Sequence, residues 1–183
     1  MQLQNQQDVK ITNIPTRGLI TPPPTAACAV CSVDNVVYMF GGRQYLAHDR
    51  PFSNDLWCLD MTDPSNAHWD ILPTYNTPPP RWGHTLQLYN GHLILFGGSR
   101  IGLTYQDLWI LDIRHRHTAA GRASGGRQSL VWREVVFAES DRIPAPRGGH
   151  SAVVLVRNCL CSWHGVTSFV ICMCLSSCLY VCV

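Results

Sequence analysis

Hydrophobic positions along the chain fall into short runs that end at turn residues. Thr85-Leu86-Gln87-Leu88-Tyr89 alternates apolar and polar side chains, which predicts a half-buried strand. Asn90-Gly91 follows, a tight hairpin signal. His92-Leu93-Ile94-Leu95-Phe96 is then almost continuously apolar, as expected of a strand covered on both faces, and Gly97-Gly98 ends it. Residues 107–113 (DLWILDI) and 131–136 (VWREVV) supply a third and a fourth strand. The preceding stretch gives the same order: CAVCSV, VVYMF, DLWCLD and HWDIL, all within residues 28–72.

The two stretches are copies of one unit. Phe40-Gly41-Gly42 returns as Phe96-Gly97-Gly98, and the Asp-Leu-Trp of Trp57 returns around Trp109. Trp69 returns as Trp132, and Arg81-Trp82-Gly83-His84 returns as Arg147-Gly148-Gly149-His150. Length differences fall between the apolar runs and never inside them, as in a repeated sheet unit whose loops vary. A four-stranded antiparallel sheet repeated about every fifty residues is a propeller blade. The expected fold is therefore all-β: two blades and the first strand of a third, a partial β-propeller. The first unit departs at one place, with Thr25-Ala26-Ala27-Cys28 standing where Arg81-Trp82-Gly83-His84 stands.

The Gly-Gly pair, the two tryptophans and Pro-Arg-x-Gly-His resemble the kelch repeat. The resemblance covers residues 25–155. The wording of PPPRWGHTL (78–86), VWREV (131–135) and IPAPRGGHSAV (143–153) is similar to the kelch domain of plant F-box and light-oxygen-voltage kelch proteins. It implies a protein–protein interaction module, in the intact relative the substrate-recognition part of a ubiquitin-ligase adaptor or a signalling scaffold. Neither an F-box nor a flavin-binding light-sensing domain is recognisable in this chain.

This reading divides the chain into a polar, Pro-rich segment (1–24), repeats (25–72, 81–136 and a partial 147–155) and a tail (156–183). Composition changes abruptly at the tail. Six of the nine cysteines lie after residue 158, and residues 156–183 contain no carboxylate. Two readings stay open. Val156-Arg157-Asn158 can be encoded by a splice-donor-like sequence, so the tail would be read-through that truncates the propeller. Alternatively Val166–Val183, an uncharged run of 18 residues, would anchor the chain in a membrane, with Cys174, Cys178 and Cys182 on one helix face for acylation.

Charge adds little: 14 Lys+Arg against 12 Asp+Glu leaves +2, which gives no basic field for nucleic acid. The polar start without a hydrophobic signal, and few cysteines in the body, predict a cytoplasmic or nuclear protein with reduced thiols. Cys28-x-x-Cys31 is a single pair, so buried strand thiols are expected rather than a metal site. His84, His150, Arg81 and Arg147 recur at a repeat mark, as do Asp55, Asp60, Asp107 and Asp112. Repetition favours structural service over acid–base chemistry, with the arginines binding carbonyls at blade junctions. Gly41, Gly42, Gly83, Gly97, Gly98, Gly149 and tryptophans 57, 69, 109 and 132 are assigned to the repeat scaffold. No catalytic residue, cofactor or metal is expected; a propeller enzyme would need converging acids or metal ligands.

The topology sorts the loops. The hairpins 32–35 and 89–92 leave one end of the unit, and the second-to-third strand loops 43–54 and 99–106 leave the other. Both of the latter carry Arg and Tyr, types enriched where proteins bind each other. Arg43, Tyr45, His48, Arg50, Arg100 and Tyr105 are therefore the candidate partner-binding residues. The basic insertion 114–129 reads as a solvated loop with phosphorylatable Ser124 and Ser129.

Overall fold

The computed structural model describes residues 15–18, 20–117, 129–137, 143–156 and 169–174. Ser124, Cys178, Cys182 and most of the run 166–183 lie outside them. In chain order the strands are β1 (Thr25–Ala26), β2 (Ala29–Val33), β3 (Val36–Phe40), β4 (Arg43–Gln44), β5 (Leu56–Asp60), β6 (His68–Leu72) and β7 (Thr74–Tyr75). They continue as β8 (Thr85–Tyr89), β9 (His92–Phe96), β10 (Ser99–Arg100), β11 (Leu103–Thr104), β12 (Leu108–Asp112) and β13 (Leu130–Glu134). The last two are β14 (Ser151–Val156) and β15 (Phe169–Cys174).

The first blade is a four-stranded sheet ordered β2-β3-β5-β6, antiparallel throughout. The second is ordered β8-β9-β12-β13, with β7 added in parallel on its outer edge. The fold is the all-β partial propeller that the repeat spacing predicts. β2 lies beside β8 and β8 beside β14, so the first strands of successive units stand side by side. The hairpins sit where the chain signals them, with Asn90 and Gly91 both at positive φ (46° and 71°).

The parallel strand β7 has no forecast in the hydrophobic pattern. Residues 74–76 leave the first blade and lie along the second, where Asn76 Nδ2 donates to the Trp132 carbonyl at 3.0 Å. The segment before the first blade behaves the same way: Arg17 N–H donates to the Ala67 carbonyl at 2.6 Å, just ahead of β6. Part of the Cys-rich tail also joins the sheet framework. β15 pairs antiparallel with β14 from Ser151↔Cys174 to Val156↔Phe169, in the place of a second strand of a third unit. Cys174 thus stands in a strand. Among the described residues no helix is long and apolar enough to cross a membrane.

The core lies between blades. Phe40, Leu56, Tyr38 and Cys58 of the first blade pack on Leu86, Leu93, Leu95, Leu111 and Trp132 of the second. A second cluster, Ile94, Phe96 and Leu108, faces Ala152 and Val154 of the third unit. Burial of these side chains, each worth about 1.5–3 kcal/mol, is the main driving force for stacking the units.

Candidate functional site

Each junction between units is built by the same backbone circuit. Gly42 N–H donates to the Arg81 carbonyl (2.8 Å), Arg81 N–H to the Ser53 carbonyl (3.2 Å), and Ser53 N–H to the Gly42 carbonyl (3.0 Å). One unit later the same three bonds join Gly98, Arg147 and Tyr105, at 2.8, 3.0 and 2.8 Å. The glycine just before each circuit is needed because the next unit's backbone runs against it. A Cβ on Gly41 (φ +65°) would come within 2.8 Å of the Arg81 carbonyl, and one on Gly97 (φ +63°) within 2.7 Å of the Arg147 carbonyl. The histidine of each mark closes the junction: His84 meets Phe40 edge-on at 5.5 Å, and His150 meets Phe96 at 5.5 Å. Burial, aided by the Arg81 charge, pushes the His84 imidazole down to about 3. Burial lowers His150 as well.

Arg81 does more than bind junction carbonyls. It is wholly buried, and its guanidinium donates to both carboxylate oxygens of Asp107 at 2.6 and 2.8 Å. It also donates to the carbonyls of Gly97 (2.8 Å) and Pro79 (3.0 Å) and lies 4.0 Å above the Tyr105 ring. Trp109 Nε1 donates to the same carboxylate at 2.6 Å. Arg147 keeps the corresponding carbonyl bond, to Ala145 at 3.1 Å, but is only half-buried. Asp60 and Asp112 serve strand ends, accepting from the N–H groups of Thr62 (2.8 Å) and Arg114 (3.0 Å).

The candidate partner-binding residues divide. Arg43, Tyr45, His48, Arg50 and Arg100 are exposed on the loops that leave the junction end of each blade. Arg43 stacks over Tyr45 at 5.5 Å, and Tyr45 is 63 % exposed. Tyr105 is instead half-buried beneath Arg81. The same end exposes apolar side chains that the sequence does not single out: Leu46 (75 %), Ile101 (80 %), Leu103 and Trp82. Their runs are too short and irregular to carry a periodicity. Only the direction in which the loops leave the blades puts them at the same end. A cavity of about 410 Å³ lies under the first of these loops, lined in part by Leu46, His48, Asp49, Arg50, Phe52 and Asp55.

Among the described residues no three His, Cys, Asp or Glu side chains stand close enough to hold a metal. Cys28, Cys31 and Cys58 are free thiols. Burial raises all three, Cys31 to about 12 and Cys58 to about 11, which keeps them protonated and poorly nucleophilic.

Comparison with known proteins agrees with the geometry. Adagio protein 3 of Arabidopsis thaliana is 31% identical over 145 residues, covering 77% of this chain and 23% of that protein. An F-box/kelch-repeat protein of the same plant is 28% identical over 167 residues, 87% of this chain and 32% of that protein. A probable serine/threonine-protein kinase of Dictyostelium discoideum is 29% identical over 142 residues, of which this chain spans 9% of the length. The chain thus spans less than a third of each of these relatives. The family profile described as the KLHDC2/KLHL20/DRC7 Kelch-repeats domain matches residues 2–177. With its repeated Gly-Gly junctions and four-stranded blades, this chain belongs to the kelch-repeat family and is a protein-interaction module of the kelch type.

Proposed function

We propose that the chain docks a protein partner on the end formed by loops 43–54 and 99–106, as the substrate-recognition part of a ubiquitin-ligase adaptor or a signalling scaffold. The observation that carries this reading is that this one end exposes Tyr45, Leu46, Ile101 and Leu103 together with Arg43, Arg50 and Arg100. Exposed apolar side chains in the company of arginine are the composition of protein-binding surfaces. The likeness to an F-box/kelch-repeat protein favours the adaptor role over the scaffold role. A cytosolic or nuclear location accompanies the reading, in keeping with three free thiols in the repeats.

The test is cross-linked capture with the whole chain and with the triple variant Arg43→Ala, Tyr45→Ala, Arg100→Ala. The expected result is a set of partners lost from the variant while its unfolding midpoint is unchanged. An adaptor further requires that a captured partner accumulate when the chain is depleted, and that proteasome inhibition erase the difference. Equal capture by both forms would sink the docking surface. Loss of capture without partner accumulation would leave the scaffold and remove the adaptor.

A further inference from the structure

The second blade holds a finished guanidinium site, and the first blade holds the same site without its guanidinium. The correspondence is set by the backbone. Gly41 N–H donates to the Asp55 carbonyl at 3.2 Å as Gly97 N–H donates to the Asp107 carbonyl at 3.1 Å. Thr25 Oγ1 donates to the Pro23 carbonyl at 2.7 Å, in the place of the Arg81 Nε bond to Pro79. Asp55 therefore stands where Asp107 stands, and Gly41 where Gly97 stands. The two groups that fill the site in the second blade are both reduced in the first: Thr25 replaces Arg81, and Ser53 replaces the Tyr105 ring beneath it. The acceptors are kept and the cation is gone.

Asp55 has no cationic partner among the described residues; its carboxylate accepts the Ser53 hydroxyl at 2.8 Å. The cavity of about 410 Å³ opens beside Ser53 and Asp55, and Phe52 on its wall is an aromatic ring of the kind Tyr105 supplies in the second blade. Arg50 also lines this cavity and forms no ion pair with Asp55. We propose that the first blade binds an arginine side chain of a partner protein, its guanidinium on the Asp55 carboxylate in the manner of Arg81 on Asp107. A planar fork answers a carboxylate better than an ammonium does, because it can donate to both carboxylate oxygens at fixed angles.

The inference goes beyond the docking surface, and its test uses a small molecule. The isotope-labelled whole chain is titrated with N-acetylarginine amide, with the neutral isostere N-acetylcitrulline amide as control, while the backbone amides of Gly41, Ser53 and Asp55 are followed. Saturable shifts with a dissociation constant on the order of millimolar are expected with the arginine probe alone. Asp55→Asn weakens them by about tenfold or more. Thr25→Arg, which retains every acceptor and supplies the guanidinium from within, abolishes probe binding and raises the unfolding midpoint. Shifts that citrulline or an N-acetyllysine amide reproduces would overturn the assignment, as would full binding by Thr25→Arg. Because Thr25→Arg removes no native acceptor, the test stands even where Asp55→Asn fails to fold. Loss of partner capture by the loop variant leaves this outcome untouched, so the two readings fail separately.

Discussion

Leu86, Leu93, Leu95, Leu111 and Trp132 on one face of the second blade are all but sealed from solvent, none more than 2 % exposed. Val30, Val37, Met39, Leu59 and Trp69 occupy the same positions in the first blade. There Val30 is 54 % exposed and the other four are half-buried. The two faces have nearly the same apolar pattern; the difference is the neighbour, because the first blade's other face covers the second. Trp57 alone stays buried on the first face, held edge-on by Trp69 at 6.5 Å. The junctions differ in the same sense. Arg81 is closed in by its own blade's acid, ring and carbonyl, while among the described residues the Arg147 side chain meets one backbone carbonyl. In a repeat protein, sequence copies carry equal propensities, but each copy's contribution to stability is set by what packs on it.

Breaking the charged centre of the second blade should have the largest effect. Arg81→Ala leaves the Asp107 carboxylate, 16 % exposed, without its cation and is expected to cost about 3–5 kcal/mol. Arg147→Ala should cost about 1 kcal/mol or less. Urea unfolding of both variants measures the gap, and equal costs would dissolve the distinction between the junctions. Next comes the matched pair on the two faces. Leu95→Ala opens a cavity in a sealed core and should cost about 3 kcal/mol, against about 1 kcal/mol for the half-buried Met39→Ala. A Met39→Ala cost equal to that of Leu95→Ala would mean that something covers the first face in solution.

Acid should weaken the junctions. His84 titrates at about 3 when folded, and an unfolded histidine at about 6.5. Between those values only the unfolded chain takes up the proton, so stability falls as pH drops below about 6.5, and the loss grows until about 3. At pH 5.5 the loss from His84 is about 1 kcal/mol. Denaturant midpoints at pH 7.5 and 5.5 should therefore diverge less in His84→Gln than in the unaltered chain. His150, less buried, should contribute less slope through the same comparison. The smallest effect concerns the first unit's departure from the repeat. Ala27 holds φ +52°, the left-handed position that Gly83 and Gly149 hold in the later units. Ala27→Gly should stabilise by about 1 kcal/mol, seen as a higher melting temperature; no gain would show that the strain is relieved elsewhere.

The eight main strands of the two blades, their order and their hairpin turns were written in local sequence. Alternation, continuous apolar runs, Asn-Gly and Gly-Gly act within a few residues, and copies of Phe-Gly-Gly and Asp-Leu-Trp about fifty residues apart mark the unit. Gly41 and Gly97 recur in both blades and stand at matching junctions, whereas His84 recurs only in the third unit's mark, with Cys28 in its place in the first. Groups used once were not legible. The Arg81–Asp107 pair joins residues that recur separately, and only the packed blade puts the guanidinium on that carboxylate and over Tyr105. Its companion, Asp55 without an arginine, emerges only when the two blades are laid over each other. The crossing of β7 onto the second blade, the pairing of β15 with β14 and the gathering of Leu46, Ile101 and Trp82 at one end depend on contacts between distant segments. Hydrophobic period sets which side of a strand is apolar. Whether that side is buried, and which loops meet, is decided by the neighbouring sheet, which no local pattern encodes.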